Sequence, residues 1–298
     1  MVKRLLSANA SEIVEMTADE LKQSIKASDG RVVLAENVVT RTPVIPDITN
    51  SELSRAFGAD LILLNGLDAF DPKIVNIDED KHVIKELRRL VARPIGVNLE
   101  PVDVQATMTE EKLSINEGRQ ASPKTVKAIE ELGINFICMT GNPGTGVSNE
   151  RIVNAIAETR ANFSGLIIAG KMHSAGVDEP VITKKFVNKF IDAGADIILA
   201  PSIGTVPGFD EIQLKEIVKA VHQHGGLVMS AIGTSQESSD PSTIRDFAIR
   251  NKICGVDIQH IGDAGFGGLA PVNNIFELSK AIRGERHTVS MIARSIQR

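Results

Sequence analysis

Ala193-Gly194-Ala195-Asp196-Ile197-Ile198-Leu199-Ala200 is the stretch that decides the fold. Its glycine reads as the left-handed cap that ends a helix, and the apolar, β-branched run behind it as a short buried strand. The same turn from helix through glycine into strand recurs at Phe57-Gly58-Ala59-Asp60, Leu132-Gly133-Ile134, His224-Gly225-Gly226 and Cys254-Gly255-Val256. Apolar runs of this kind lie at Val32 to Ala35, Leu61 to Leu64, Ile95 to Leu99, Phe136 to Met139, Leu166 to Ala169, Ile197 to Ala200, Leu227 to Met229 and Gly255 to Ile258. Their starts fall roughly 28 to 40 residues apart, about one strand plus one helix. Helical periodicity with recognisable caps fills the gaps, at Ser122 to Leu132, Asn149 to Thr159, Pro180 to Ala193, Phe209 to His222 and Pro241 to Arg250.

Strands buried on both faces and separated by helices form parallel sheets. An open doubly wound sheet would carry a Gly-x-Gly-x-x-Gly fingerprint after a strand, and none is present; Gly265-Phe266-Gly267-Gly268 has the wrong spacing. The expected architecture is therefore one (β/α)8 TIM barrel over 31–283, with a helical extension over 1–30 and a tail over 284–298. Within the extension, Thr17-Ala18-Asp19-Glu20 has the form of a capping box and starts a helix to about Ala27 that would plug the barrel bottom. The tail is basic, with Arg286, His287, Arg294 and Arg298, and its Met291 and Ile292 predict a short helix against the barrel or a second subunit.

Of the 298 residues, 42% are hydrophobic and 24% charged, with a net charge of −5, so neither disorder nor a basic nucleic-acid surface is expected. No run approaches the roughly 20 apolar residues of a membrane span, and no signal-peptide core opens the sequence. A cytoplasmic protein is expected, without a membrane or nucleic-acid partner and assembling as a homo-oligomer. Cys138 and Cys254 sit far apart in apolar runs and read as buried, structural thiols.

Barrel enzymes place their chemistry at the C-terminal ends of the strands. Alternation along each strand then separates pore-facing from helix-facing positions. Taking the parity that carries polar residues puts Glu36, Asn65, Asn98 and Glu100, Thr140, Lys171 and His173, Ser230, and Asp257 and Gln259 around one mouth. On that reading Lys171, His173, Glu100 and Asp257 are the catalytic candidates. Lys171 would act as a Schiff-base nucleophile or, the favoured role, as a protonated group steadying an enolate or phosphate charge, with His173 or Glu100 moving protons. His260 follows Gln259 and should point away from the pore unless a bulge intervenes.

Glu36, Glu100 and Asp257, with Asp103 nearby, supply the oxygen ligands that Mg²⁺ or Mn²⁺ prefers. No zinc spacing occurs, and the His222-x-His224 pair falls at the wrong end of the barrel. No nucleotide or flavin fingerprint is present. Three glycine-rich loops, after strands four, seven and eight, offer free backbone amides to an anion. They contribute Asn142, Gly144 and Thr145, then Gly233, Thr234 and Ser235, then Asp263, Gly265 and Gly267, with Asn98 beside them. The expected partner is a small anionic metabolite.

Through Glu36-Asn37-Val38-Val39-Thr40-Arg41, Gly96-Val97-Asn98-Leu99-Glu100-Pro101, Thr140-Gly141-Asn142-Pro143-Gly144-Thr145-Gly146, Ala169-Gly170-Lys171-Met172-His173 and His260-Ile261-Gly262-Asp263-Ala264-Gly265, the whole chain resembles a family of bacterial barrel proteins. Its members carry phosphoenolpyruvate phosphonomutase-like or haloacid-dehalogenase-like labels. The phosphonomutase likeness implies a barrel, Mg²⁺ and an enolate-like intermediate, although the Lys-Lys-Cys-Gly-type loop of that family is missing here. The dehalogenase likeness fails at its own motif, since Asp78-Glu79-Asp80-Lys81-His82 ends in His where Thr or Val belongs. Together these readings predict a lyase or isomerase acting next to a carbonyl in a small phosphorylated or carboxylated metabolite. The alternative is a non-catalytic barrel that binds a metabolite and regulates.

Overall fold

A computed structural model describes residues 2–78, 82–265 and 267–298, which leaves part of the Asp78 to His82 stretch, and Phe266, outside the described residues. Eight parallel strands close into a barrel in the order β1-β2-β3-β4-β5-β6-β7-β8. They are β1 (Val32–Val38), β2 (Leu61–Asn65), β3 (Ile95–Leu99), β4 (Phe136–Met139), β5 (Leu166–Gly170), β6 (Ile197–Pro201), β7 (Leu227–Ile232) and β8 (Ile258–Ile261). The (β/α)8 expectation therefore holds.

The eighth strand lies three residues further on than the apolar run suggested. Gly255, at φ +90°, still belongs to the turn after the preceding helix, and the polar pair Gln259 and His260 is in the strand with both side chains buried. Two helices precede β1, α1 (Ala10–Val14) and α2 (Ala18–Lys26). Between the strands come α3 (Asn50–Ala56), α4 (Val83–Val91), α5 (Pro123–Glu131), α6 (Asn149–Arg160), α7 (Lys184–Asp192), α8 (Glu211–Gln223) and α9 (Pro241–Ile253). The last helix, α10 (Val272–Ala293), is broken at Gly284, and Met291 beyond the break is buried. No described helix is long and apolar enough to cross a membrane.

Local chemistry explains where these helices start. Thr17, Thr49, Ser122, Ser148, Thr183 and Asp210 each accept a hydrogen bond from the third amide of their helix, worth about 1 kcal/mol apiece. Thr17 forms the reciprocal box with Glu20, as its spacing predicts.

The apolar residues divide into two layers. Val33, Ile62, Val97, Ile137, Ile167, Ile198 and Val228 face the helices, whereas Leu34, Leu63, Phe136, Cys138, Ile168, Leu199, Met229 and Ile258 fill the barrel. Leu5, Ile13, Leu21 and Ile25 join the inner layer from below, so the segment before β1 closes the N-terminal end. On the outside of that end, Arg283 of α10 pairs with Asp60 at 2.5 Å, both fully buried.

Gly96 is the small partner that lets the inner layer pack. A Cβ at this position would lie 2.0 Å from the Phe136 ring. Gly96→Ala is expected to lower stability by about 3 kcal/mol through overpacking, measured by urea unfolding, and Phe136→Leu in the same chain should restore part of it.

Candidate active site

The inward residues at the top of the barrel open into a cavity of about 320 Å³. Glu36, Asn65, Asn98 and Thr140 reach it from β1, β2, β3 and the end of β4. The loops over it contribute Glu110, Gly141, Asn142, Met172, His173, Ser174, Gly233, Thr234, Ser235, Glu237, Gly262 and Asp263. Of the residues predicted from parity on the first four strands, all but Glu100 line the cavity itself, and Glu100 lies directly behind it.

Glu36 is held from two sides. Asn98 donates its amide Nδ2 to one carboxylate oxygen, and His260 Nε2 meets the other at 2.9 Å. A carboxylate only accepts, so the Asn98 amide is fixed with Oδ1 on its free side, and the His260 proton sits on Nε2. Next to this pair, Asn65 Nδ2 donates to Asp263 Oδ2 at 2.7 Å and to Asn142 Oδ1 at 2.9 Å. Asn142 donates through Nδ2 and its backbone amide to Glu100, 2.8 Å each, and Arg119 completes the Glu100 carboxylate at 2.8 Å. Glu100 thus positions the asparagine ladder, with both oxygens accepting hydrogen bonds and the side chain behind the cavity wall.

Burial is the main force on the acids. The Asp263 carboxyl is pushed up to about 8 by burial, then by the nearby Glu36 charge, against the opposing Asn65 hydrogen bond. Glu237 is raised for the same first reason, with its own amide and Ser238 acting the other way, and neither carboxylate oxygen has a partner at hydrogen-bond distance. His173 is lowered by burial, and its Nδ1 accepts from the Ala175 amide at 3.0 Å. The ring is therefore neutral near pH 7 and carries its proton on Nε2.

Several predicted residues are elsewhere. On β5 it is Ile168 that belongs to the inner layer, while Ala169 packs outward. Lys171 follows the outward parity, and its ammonium pairs with Glu179 at 2.6 Å and reaches the Val147 carbonyl at 3.4 Å. It clamps the loops after β4 and β5 together and does not line the cavity. His173 does, because the chain has left the sheet by then. On β7 and β8 the inner positions are Met229 and Ala231, and Ile258 and His260. Ser230 and Gln259 face the helices, Gln259 bonding to Ala248 and Asn251 of α9. His260 therefore points into the barrel without any bulge.

Asp257 sits at the N-terminal end of β8, bonded to His222 at 2.8 Å and to the Val228 amide at 2.8 Å, far from the mouth. The predicted metal set does not fit. Glu36 and Glu100 have both oxygens engaged, Asp257 is at the opposite end, and Asp103 is tied to Ser148 and the Gln105 amide. Among the described residues no three His, Cys, Asp or Glu side chains converge as metal ligands.

Of the anion-loop residues, Asn98, Asn142, Gly233, Thr234, Ser235 and Asp263 line the cavity. Gly144, Thr145, Gly265 and Gly267 do not: Gly144 packs on Leu113, Thr145 turns its hydroxyl back to Asn142, Gly265 packs on Leu269 and Gly267 on Thr42 and Val44. Glu110 and Glu237 were not singled out from the sequence. Glu237 does lie in the glycine-rich loop after β7, where an acid behind a buried strand was the available signal.

Lys171→Met is expected to lower stability by about 3 kcal/mol, because Glu179 loses its buried partner. The cavity wall stays intact, so ligand binding there should change by less than about tenfold, roughly the worth of one hydrogen bond. Urea unfolding together with a binding titration separates the two effects.

A closed eight-stranded β/α barrel with a polar cavity across its C-terminal mouth defines a TIM-barrel protein with a candidate active site in the usual position. The chain belongs to the family described as "Domain of unknown function (DUF7916)", whose model matches residues 6–298. No curated protein matches it in sequence. Among solved structures it is similar in fold to a Coccidioides immitis protein provisionally assigned as a fructose-1,6-biphosphate aldolase, with a TM-score of 0.51, 14% identity, and 94% of this chain and 97% of that one covered. Two others are a provisionally assigned lyase/mutase from Burkholderia cenocepacia J2315 (TM-score 0.49, 17% identity, 91% and 96% covered) and 2,3-dimethylmalate lyase, a PEP mutase/isocitrate lyase superfamily member (0.48, 12%, 85% and 81%). No haloacid-dehalogenase relative is among these three.

Proposed function

We propose that this chain is an enzyme of the lyase or isomerase type that moves a proton next to a carbonyl in a small carboxylated or phosphorylated metabolite. One observation carries the reading: a half-buried carboxyl at the mouth of the barrel, Asp263, lines the cavity beside Glu36 and Glu237 with Asn65 as its side-chain partner, a setting that pushes its pKa up to about 8. General acid–base catalysis is most effective when the pKa of the group lies near the working pH. Structural ion pairs lower a carboxyl rather than raise it, and Asp263 has no cationic partner among its hydrogen bonds.

The roles follow from the contacts. Asp263, steered by Asn65, takes the proton from carbon and returns it. Neutral His173 offers Nε2–H to the oxygen on which negative charge grows, as an uncharged donor of the oxyanion-hole kind. The loop of Gly233, Thr234 and Ser235 lines the cavity with two successive residues at positive φ, +58° and +68°, a backbone form that suits an anion such as a carboxylate or phosphate, while the Thr234 hydroxyl bonds the Thr205 carbonyl and Gln236 within the loops. No step passes through a metal. Barrels host unrelated chemistries, so the aldolase and lyase names of the similar structures stay with those proteins.

The test is hydrogen exchange at carbon. Purified protein in D₂O is incubated with small 2-oxo, 3-hydroxy and phosphorylated acids, and deuterium uptake next to the carbonyl is followed by NMR. Uptake that depends on Asp263 supports the reading. Binding without uptake overturns it in favour of the non-catalytic regulatory barrel.

A further inference from the structure

We infer that the substrate carries a primary ammonium group, bound on the floor of the cavity by Asn98, Glu237 and Asp263. This rests on the site reading above and adds the class of molecule that it takes. The floor has acceptors left without donors, while the unpartnered Thr140 hydroxyl can serve as either. Asn98 Oδ1 is buried with no partner and cannot be flipped, because Glu36 requires the amide nitrogen. Glu237 is 0% exposed, lines the cavity, and leaves both oxygens unpartnered. Among the described residues four acids, Glu36, Glu110, Glu237 and Asp263, line the wall, and no lysine or arginine does.

Buried acceptors without donors are costly, about 1 to 3 kcal/mol each, and a ligand that supplies donors removes that cost. An ammonium group has three donors and one positive charge. A divalent cation suits the floor less well, since it demands about six converging oxygens and no three His, Cys, Asp or Glu side chains converge as ligands among the described residues. With the anion held by the Gly233 to Ser235 loop, the ligand becomes a small zwitterion, negative at the rim and positive at the floor.

Such binding is linked to protons. Asp263 faces Glu36 of β1 and Glu237, Glu237 in turn faces His260, and His173 lines the same cavity; an ammonium ion beside Asp263 favours its ionised form. Binding near pH 7 therefore releases a proton from the protein.

The experiment uses matched pairs that differ only in ammonium against hydroxyl: serine and glycerate, aspartate and malate, O-phosphoserine and 3-phosphoglycerate. Thermal shift ranks them, and calorimetry in two buffers of different ionisation enthalpy counts the protons. The expected result is at least one amino member binding about tenfold or more tightly than its hydroxy counterpart, with proton release, and weakened about tenfold by Glu237→Gln. Circular dichroism checks that this isosteric variant is folded. Hydroxy members that bind as well as the amino ones overturn the proposal, as does a panel in which no amino member binds. A stabilisation by Mg²⁺ alone that Glu237→Gln abolishes overturns it in favour of a metal. Deuterium uptake from a hydroxy member would leave the acid–base reading standing while this one fails.

Discussion

Asp263→Asn lowers deuterium uptake by about a thousandfold, within the range that positioned proton transfer supplies. The amide keeps the size of the side chain but can neither hold nor deliver a proton. At subsaturating ligand, where the free protein sets the profile, wild-type uptake should rise with pH and level off above about 8, where Asp263 is ionised. The variant also has a stability signature. The folded protein holds the Asp263 proton up to about 8, while an unfolded aspartate releases it near the ordinary value of 3.8. A raised carboxyl contributes stability that is complete below the unfolded value and is lost as pH climbs through the folded one. The melting temperature of the wild type should therefore fall relative to Asp263→Asn between about pH 4 and pH 8, then run parallel to it. Parallel curves throughout, with uptake unchanged, would remove Asp263 from the chemistry.

Arg283→Met is expected to lower stability by about 4 kcal/mol, read from urea unfolding. Arg283 and Asp60 are both fully buried, and the Asp60 carboxylate also accepts from the Val33 amide at 2.9 Å. Removing the guanidinium leaves that charge without its paired cation, with Arg93 interacting only through space, and the loss costs more than the pair gains by existing. The double variant Asp60→Leu with Arg283→Met should recover part of the loss. A double variant no more stable than the single one would mean that backbone contacts of Asp60, not its charge, decide the outcome.

The fold was legible because its signals are local. Glycines at 58, 133, 194, 225 and 255 have positive φ in the structure, so each turn could be read one residue at a time. The site was legible on the first four strands for a similar reason: Glu36, Asn65 and Thr140 each continue the parity of an inward apolar run, and Asn98 that of the inward Gly96. It failed on β5, β7 and β8, where polarity was taken as the mark of the pore. Lys171 and Gln259 are polar and buried on the helix side, satisfied by Glu179 and by Asn251 and Ala248. Facing partners distant in sequence decide such cases, as Glu36 does for His260, 224 residues away. The behaviour of Asp263 was beyond reach for the same reason, since it depends on acids from three different loops and strands.

The helices before β1 have a consequence for the order of assembly. Leu21 and Ile25 cover an interior surface that exists only once β8 has paired with β1, as Val32 opposite Ile258 and Leu34 opposite His260. A segment that precedes all eight strands therefore waits for the last of them before it finds its burial site. Long-range closure of this kind is slow, and until it happens the inner faces of the strands stay open from below. Amides of α2 should gain hydrogen-exchange protection together with β8 and later than β2 and β3, which would make the plug a reporter of ring closure during refolding.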